Sequence, residues 1–127
     1  MNKILWIVRI VPALILLQTL FFKFTAAPES VYIFSTLGLE PHGRIGIGIL
    51  ELIASVLLLI PSKTWMGAVL GFGLMAGAIF SHLTQLGIEV QGDGGYLFIL
   101  ALVVLVCCGV LILVDRKRIP ILNRLFN

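Results

Sequence analysis

Four apolar runs, each close to the length of a membrane crossing, govern what this chain can fold into: Ile4 to Phe22, Ile45 to Ile60, Thr64 to Leu86 and Tyr96 to Val114. A helix needs about 20 apolar residues to cross a hydrocarbon layer ~30 Å thick. The four runs use most of the 127 residues. What remains is one outer connection of some size, two short connections and a basic tail, so a separate soluble catalytic domain has nowhere to sit. With 60% hydrophobic residues and a mean hydropathy of +1.14, the chain falls outside the range of soluble domains, whose apolar share is about 45–50%. The expectation is a single integral membrane domain over residues 1–127. Its fold class is all-α, a four-transmembrane-helix bundle with a short extra helix in the first outer loop and a basic tail from 115 to 127.

The net charge of +3 is informative by location. With the N-terminus inside, Lys3, Lys63, Arg116, Lys117, Arg118 and Arg124 all fall on the cytoplasmic side, as the positive-inside rule requires. Glu29, Glu40, Glu89 and Asp93 then fall outside. Trp6 and Trp65 mark the inner ends of the first and third runs, and Tyr96 the outer end of the fourth. Both termini are therefore expected in the cytoplasm of a cell with an inner membrane. Lys3 ahead of an apolar run and Thr25-Ala26-Ala27 behind it have the layout of a cleaved secretory signal. The interrupting Arg9, the spanning length and the even helix count favour a retained helix.

The second run carries a carboxylate, Glu51, near its middle. A charge at the bilayer centre costs at least ~2.5 kcal/mol, so Glu51 is expected to face protein, a cavity or a partner. At 100° per residue Gly48, Ala54 and Ser55 share its side, and small residues mark close helix approach. In the first run Arg9, Leu16 and Lys23 are spaced by sevens on one stripe, and Pro12 bends the helix. Lys23 at the outer rim reads either as a site residue or as a cation snorkelling to the headgroups. The third run carries two small-residue stripes, Gly67, Gly71, Met75, Ala78, His82 and Gly73, Gly77, Ser81, Gln85, which implies close contact with two neighbours.

The candidate ligand-binding or proton-relay residues are Glu51, His82, Arg9, Lys23, Arg44 and Gln85, and the helix-packing candidates are Gly48, Ser55, Gly67, Gly71, Gly73 and Gly77. At about 1.5 Å per residue Glu51 lies ~10 Å and His82 ~7 Å below the outer ends, while Arg9 and Glu51 differ by ~6 Å counted from the inner side. Glu51 thus has two candidate partners, Arg9 and His82. One buried His and one Glu fall short of a metal-ligand set, so no metal is expected. The adjacent Cys107 and Cys108 point ~100° apart on a helix and read as packing residues.

Pro28 to Leu37 has the marks of a short helix: Pro28 at a first position, Glu29 at the positive dipole end, Gly38 as a stop. It cannot span, and it reads either as a lid on the outer mouth or as a helix lying in the headgroup layer. Leu37-Gly-Leu-Glu40-Pro-His-Gly43 and Leu86-Gly-Ile-Glu89-Val-Gln-Gly92 echo one another ahead of two inward-running helices, as a duplicated hairpin would.

Arg9-Ile-Val-Pro12 with Lys23 closing the first helix, Ile49-Leu-Glu51-Leu-Ile-Ala54 in the second and Ala78-Ile-Phe-Ser-His82 in the third resemble, in order and spacing, the DoxX family of small four-helix membrane proteins. The resemblance implies a cytoplasmic-membrane bundle and, for some members, association with quinone-linked oxidation of sulfur compounds or with oxidative-stress partners. Many relatives begin the fourth helix with a Lys-Asn pair, where this chain has Asp93-Gly94-Gly95-Tyr96.

Three readings follow. In the first, a redox-associated accessory subunit holds a quinone or similar small molecule in an intramembrane polar pocket, and a soluble or membrane redox partner supplies electrons; this is an oxidoreductase subunit, not a stand-alone enzyme. In the second, a non-enzymatic assembly or interaction protein uses a structural buried ion pair. The third is a small transporter, for which four helices make a small pathway unless the protein forms a homo-oligomer. All place the chain in the lipid bilayer, with the tail held by anionic lipid and no nucleic-acid role.

Overall fold

The structure, a computed structural model, describes residues 3–40, 42–90, 92–116 and 119. Among them the order is α1 (Lys3–Phe24), α2 (Pro28–Thr36), α3 (His42–Leu59), a 3₁₀ turn (Pro61–Lys63), α4 (Thr64–Ser81), a π-helical turn (His82–Leu86) and α5 (Tyr96–Val114). Four spans, counting Pro61–Leu86 as one, are long and apolar enough to cross a membrane. The fold is the expected one: four long helices and a short one. Most of the tail from 115 to 127 lies outside the described residues.

The long helices form a ring in the order α1, α3, α4, α5, each packed on its two neighbours. Ala13, Leu16, Ala54, Leu58, Ala68, Met75, Ala101, Val104, Cys108 and Leu111 fill the centre. Apolar side chains also cover the outside, among them Leu14, Phe21, Val56, Phe80, Val106 and Leu113. A chain that is apolar on both sides buries only part of its surface against itself, as a lipid-facing bundle does.

The α1–α3 seam explains the spacing by sevens. On α1 the stripe is Arg9, Leu16, Lys23; on α3 it is Arg44, Glu51, Leu58. Seven residues are close to two turns, so each set shares a face, and antiparallel packing matches Arg9 to Leu58 and Lys23 to Arg44 and Glu51. Arg9, fully buried, donates from Nε to the Leu58 carbonyl at 2.9 Å and lies 3.8 Å over the Trp6 ring, with the Asp115 carboxylate in electrostatic range. Pro12 is buried within α1. On the next seam Gly67 lets α4 press against α3: a Cβ there would stand 2.6 Å from Leu58 N and 2.7 Å from Ala54 O. Gly71 faces α5, 3.0 Å from Cys108 Sγ on the same construction, and Gly48 faces Phe24 of α1.

Two features depart from the sequence expectation. The third span does not continue as α-helix to Leu86: it widens at His82 into the π turn, where the His82 ring bonds the Gly87 carbonyl at 2.9 Å. The second stripe of small residues does not pack either. A Cβ at Gly73 or Gly77 meets nothing within 4 Å, and Gln85 at its end is exposed. Gly38 and Gly87, at matching places in the echo, follow α2 and the π turn with φ of +74° and +79°, positive values that favour glycine.

The loop ahead of α5 is organised by Asp93. Its Oδ1 accepts from Val90 N at 3.0 Å and Gly95 N at 2.8 Å, and its Oδ2 from Leu97 N at 3.3 Å. Partial burial pushes the carboxyl upward, but these backbone donors outweigh it and hold the group below its ordinary value. A lowered native value means the stabilisation is complete above the ordinary aspartate range and is lost as pH falls through the native value. Asp93→Asn is expected to cost about 1 kcal/mol at pH 7 and to flatten the loss of stability below about pH 4. Thermal unfolding of both proteins in mild detergent at pH 7, 5 and 3 checks it; parallel curves would count against the role given to Asp93.

Candidate functional site

The half of the bundle that carries α2 and the loop before α5 does not close on itself. Between α1, α3, α4 and α5, under α2, lies a cavity of about 550 Å³. Its walls are chiefly apolar, with Leu16, Phe22, Ile47, Leu74, Met75, Leu97 and Leu100 among them. The roof is α2, which sends Ser30, Ile33 and Phe34 into the lining and buries Ser30 and Phe34. Of the two expected positions for this helix, the structure has the one over the mouth of the bundle. Phe34 is spent on the bundle, while Tyr32 stays exposed on the far side.

Three of the six candidate residues meet here: Lys23, Glu51 and His82 all line the cavity. The partner of Glu51 is neither Arg9 nor His82. Lys23 Nζ stands 2.8 Å from Glu51 Oε1, and the side chains are 15% and 3% exposed. Lys23 therefore turns inward and does not snorkel. Two contacts explain the choice: Arg9 is committed to the Leu58 carbonyl one heptad deeper, and the His82 ring is committed to Gly87. A third contact holds Lys23 itself. Arg44 Nη1 donates to the Lys23 carbonyl oxygen, while Arg44 Nε bonds Glu40 Oε1 at 2.9 Å and Oε2 at 3.0 Å. Thus α3 grips Lys23 at its main chain through Arg44 and at its ammonium through Glu51.

Arg44 is buried but outside the cavity lining, and so is Arg9; both position α1 on α3. Gln85 is exposed and not part of the lining. Ser55, fully buried, bonds the Glu51 carbonyl at 2.7 Å and so stays within α3. The sequence reading brought Phe34 to the mouth only in the lid alternative and did not place Glu29, Ser30 and Asp93 at the site, yet all four line it. Nothing in the local pattern marks them, because the α2 roof and the loop before α5 meet only through the folded bundle.

The chemistry is that of an apolar chamber with a few convergent polar groups. Glycine carbonyl oxygens only accept, so His82 Nδ1 is the donor to Gly87, and Nε2 is left as the ring's second hydrogen-bonding atom. The ring also meets Phe98 edge-on, with centroids 5.5 Å apart. The Lys23 ammonium has donors beyond the one Glu51 takes. A carbonyl or hydroxyl of a bound molecule could bond the pair without leaving a charge unpaired. No group of three or more His, Cys, Asp and Glu suited to a metal occurs among the described residues.

No curated protein and no solved structure matches the chain. The family comparison does: the profile of the DoxX-like family matches residues 7–110, from within α1 to the last turns of α5, and so takes in the α1–α3 seam, the ion pair and the His82 turn. With that match over the greater part of its length, this multi-pass membrane protein belongs to the DoxX-like family.

Proposed function

We propose that the protein is a redox-associated accessory subunit of the cytoplasmic membrane, and that its outer cavity holds a quinone or a similar small amphiphile. The observation that carries the reading is the cavity itself: about 550 Å³, apolar, with the Lys23–Glu51 pair and His82 in its lining. That volume is within the ~300–1,000 Å³ of small-molecule pockets. A quinone taking two electrons also takes two protons. The Lys23 ammonium would hydrogen-bond a quinone oxygen, and Glu51 and His82 would pass protons to and from it. Electrons come from a soluble or membrane partner protein. The basic inner ends, Lys3, Lys63 and Arg116, support an orientation with both termini in the cytoplasm.

Mass spectrometry of small molecules retained through purification in mild detergent tests this, with Glu51→Gln as the control. The expected result is a quinone held by the wild type and depleted about tenfold in a folded Glu51→Gln protein, a change equal to about 1.4 kcal/mol of binding. Bulk lipid alone in both proteins would overturn it. That outcome would favour an assembly protein with a structural ion pair, a reading supported by the double grip of α3 on Lys23.

A further inference from the structure

The cavity has a second boundary besides the α2 roof. At the inner half α3 and α4 touch through Gly67, where a Cβ would press on Leu58 N and Ala54 O. Counted from that contact at about 1.5 Å per residue, Gly73 lies ~9 Å and Gly77 ~15 Å further out on α4, and Ile47 ~10 Å further out on α3. Gly73 and Gly77 are exposed on the surface and also line the cavity, and a Cβ at either meets nothing within 4 Å. The α3 side is drawn the other way, since Gly48 packs on Phe24 of α1. The cavity thus reaches the protein surface at Gly73 and Gly77, as a slot beside the outer part of α4.

We propose that the ligand reaches the cavity sideways from the membrane, and that it is a single-chain amphiphile whose head sits at the Lys23–Glu51 pair and whose apolar tail lies in the slot past Gly73 and Gly77. The proposal rests on the reading of the cavity as an amphiphile site and adds the route and the shape of the molecule. Charge and surface both select it. Among the described residues Lys23–Glu51 is the ion pair in the lining, while the wall at Gly73 and Gly77 is glycine backbone with Ser81, whose hydroxyl is already given to the Gly77 carbonyl, and Glu29 and Asp93 belong to the α2 and α5 ends of the chamber. The exposed flanks of both helices are apolar, with Ile49, Leu50 and Ile53 on α3 and Val69, Phe72 and Phe80 on α4, so the slot opens on hydrocarbon. The glycines are then specificity-determining: they leave the width that a tail needs.

The test uses the full chain in lipid nanodiscs and two photoreactive probes, a dimethoxy-methyl-benzoquinone carrying a decyl tail tipped with a diazirine and the same ring with the diazirine on a methyl group. In the wild type the tail-tip label is expected on α3 and α4 beside Gly73. In Gly73→Leu and Gly77→Leu the decyl probe is expected to label about tenfold less, while the short probe keeps at least half its labelling. Tail-tip labelling on α2 or on the loop before α5, or equal labelling of the leucine variants by the decyl probe, would overturn the lateral route while leaving an amphiphile site in place. Labelling of the wild-type cavity by neither probe would overturn the site and the route together. The wild-type label map decides the question even where a leucine variant does not fold.

Discussion

Lys23→Met is expected to destabilise the bundle by about 3 kcal/mol, more than any other single change at the α1–α3 seam. The substitution removes the ammonium 2.8 Å from Glu51 and leaves a carboxylate that is 3% exposed without its counter-charge. Breaking one side of a buried pair costs about 3–5 kcal/mol because the remaining ion stays desolvated, and the neighbouring polar groups of the otherwise apolar cavity, Lys23 aside, put this case at the lower end. The double variant Lys23→Met/Glu51→Met is expected to recover most of the loss, since two apolar side chains of similar length need no counter-charge. Unfolding in mild detergent, followed for wild type, both single variants and the double variant, gives the coupling between the two residues. Additive losses would show that the pair does not act as a pair. A double variant that is as stable as the wild type yet holds no quinone would separate the ligand role of the pair from its structural role.

The second large effect is a single methyl group. Gly67→Ala is expected to cost about 2 kcal/mol, because the new Cβ would fall 2.6 Å from Leu58 N and 2.7 Å from Ala54 O, and both of those are backbone atoms that cannot turn aside. The same change at Gly77, on the same helix, is expected to alter stability by less than about 0.5 kcal/mol, because its Cβ meets open space. Thermal unfolding of the two alanine variants side by side checks the contrast. Equal losses would mean that α4 packs through both stripes, as its sequence pattern suggests, and that the slot is closed.

That contrast marks how much of the site could be read in advance. Gly67 and Gly77 are both small residues on helix-spaced stripes, and periodicity treats them alike. Only the tertiary structure makes one a contact of α4 with α3 and the other a wall of a cavity. Glu51 was legible because a carboxylate in an apolar run must be sheltered from lipid, and the small residues around it showed which way it faced. His82 was legible for the same reason. Its bond to Gly87 was not, because it needs a widened turn that the helical pattern does not announce.

Lys23 is the plainest case. A lysine one residue from the end of a spanning helix has two outlets, the headgroups or the interior, and its position in the chain is compatible with both. The deciding terms are contacts from α3: Arg44 holds its carbonyl and Glu51 its ammonium. In retrospect the matched heptads, Arg9 to Lys23 on α1 and Arg44 to Leu58 on α3, carry the register of that seam. The pairing within it also requires that the helices run antiparallel and side by side, with Arg9 taken up by Leu58.

By itself the sequence determined the solvent, the helix count and the family. Those properties rest on quantities summed over whole segments: about 20 apolar residues per crossing, and a handful of motifs whose spacing survives any detail of packing. The tertiary structure decided which charge meets which, where the helices touch and where they part. Those outcomes turn on separations of a few ångströms between segments far apart in the chain, where a buried ion takes whichever counter-charge the packing brings within reach, here Lys23 for Glu51.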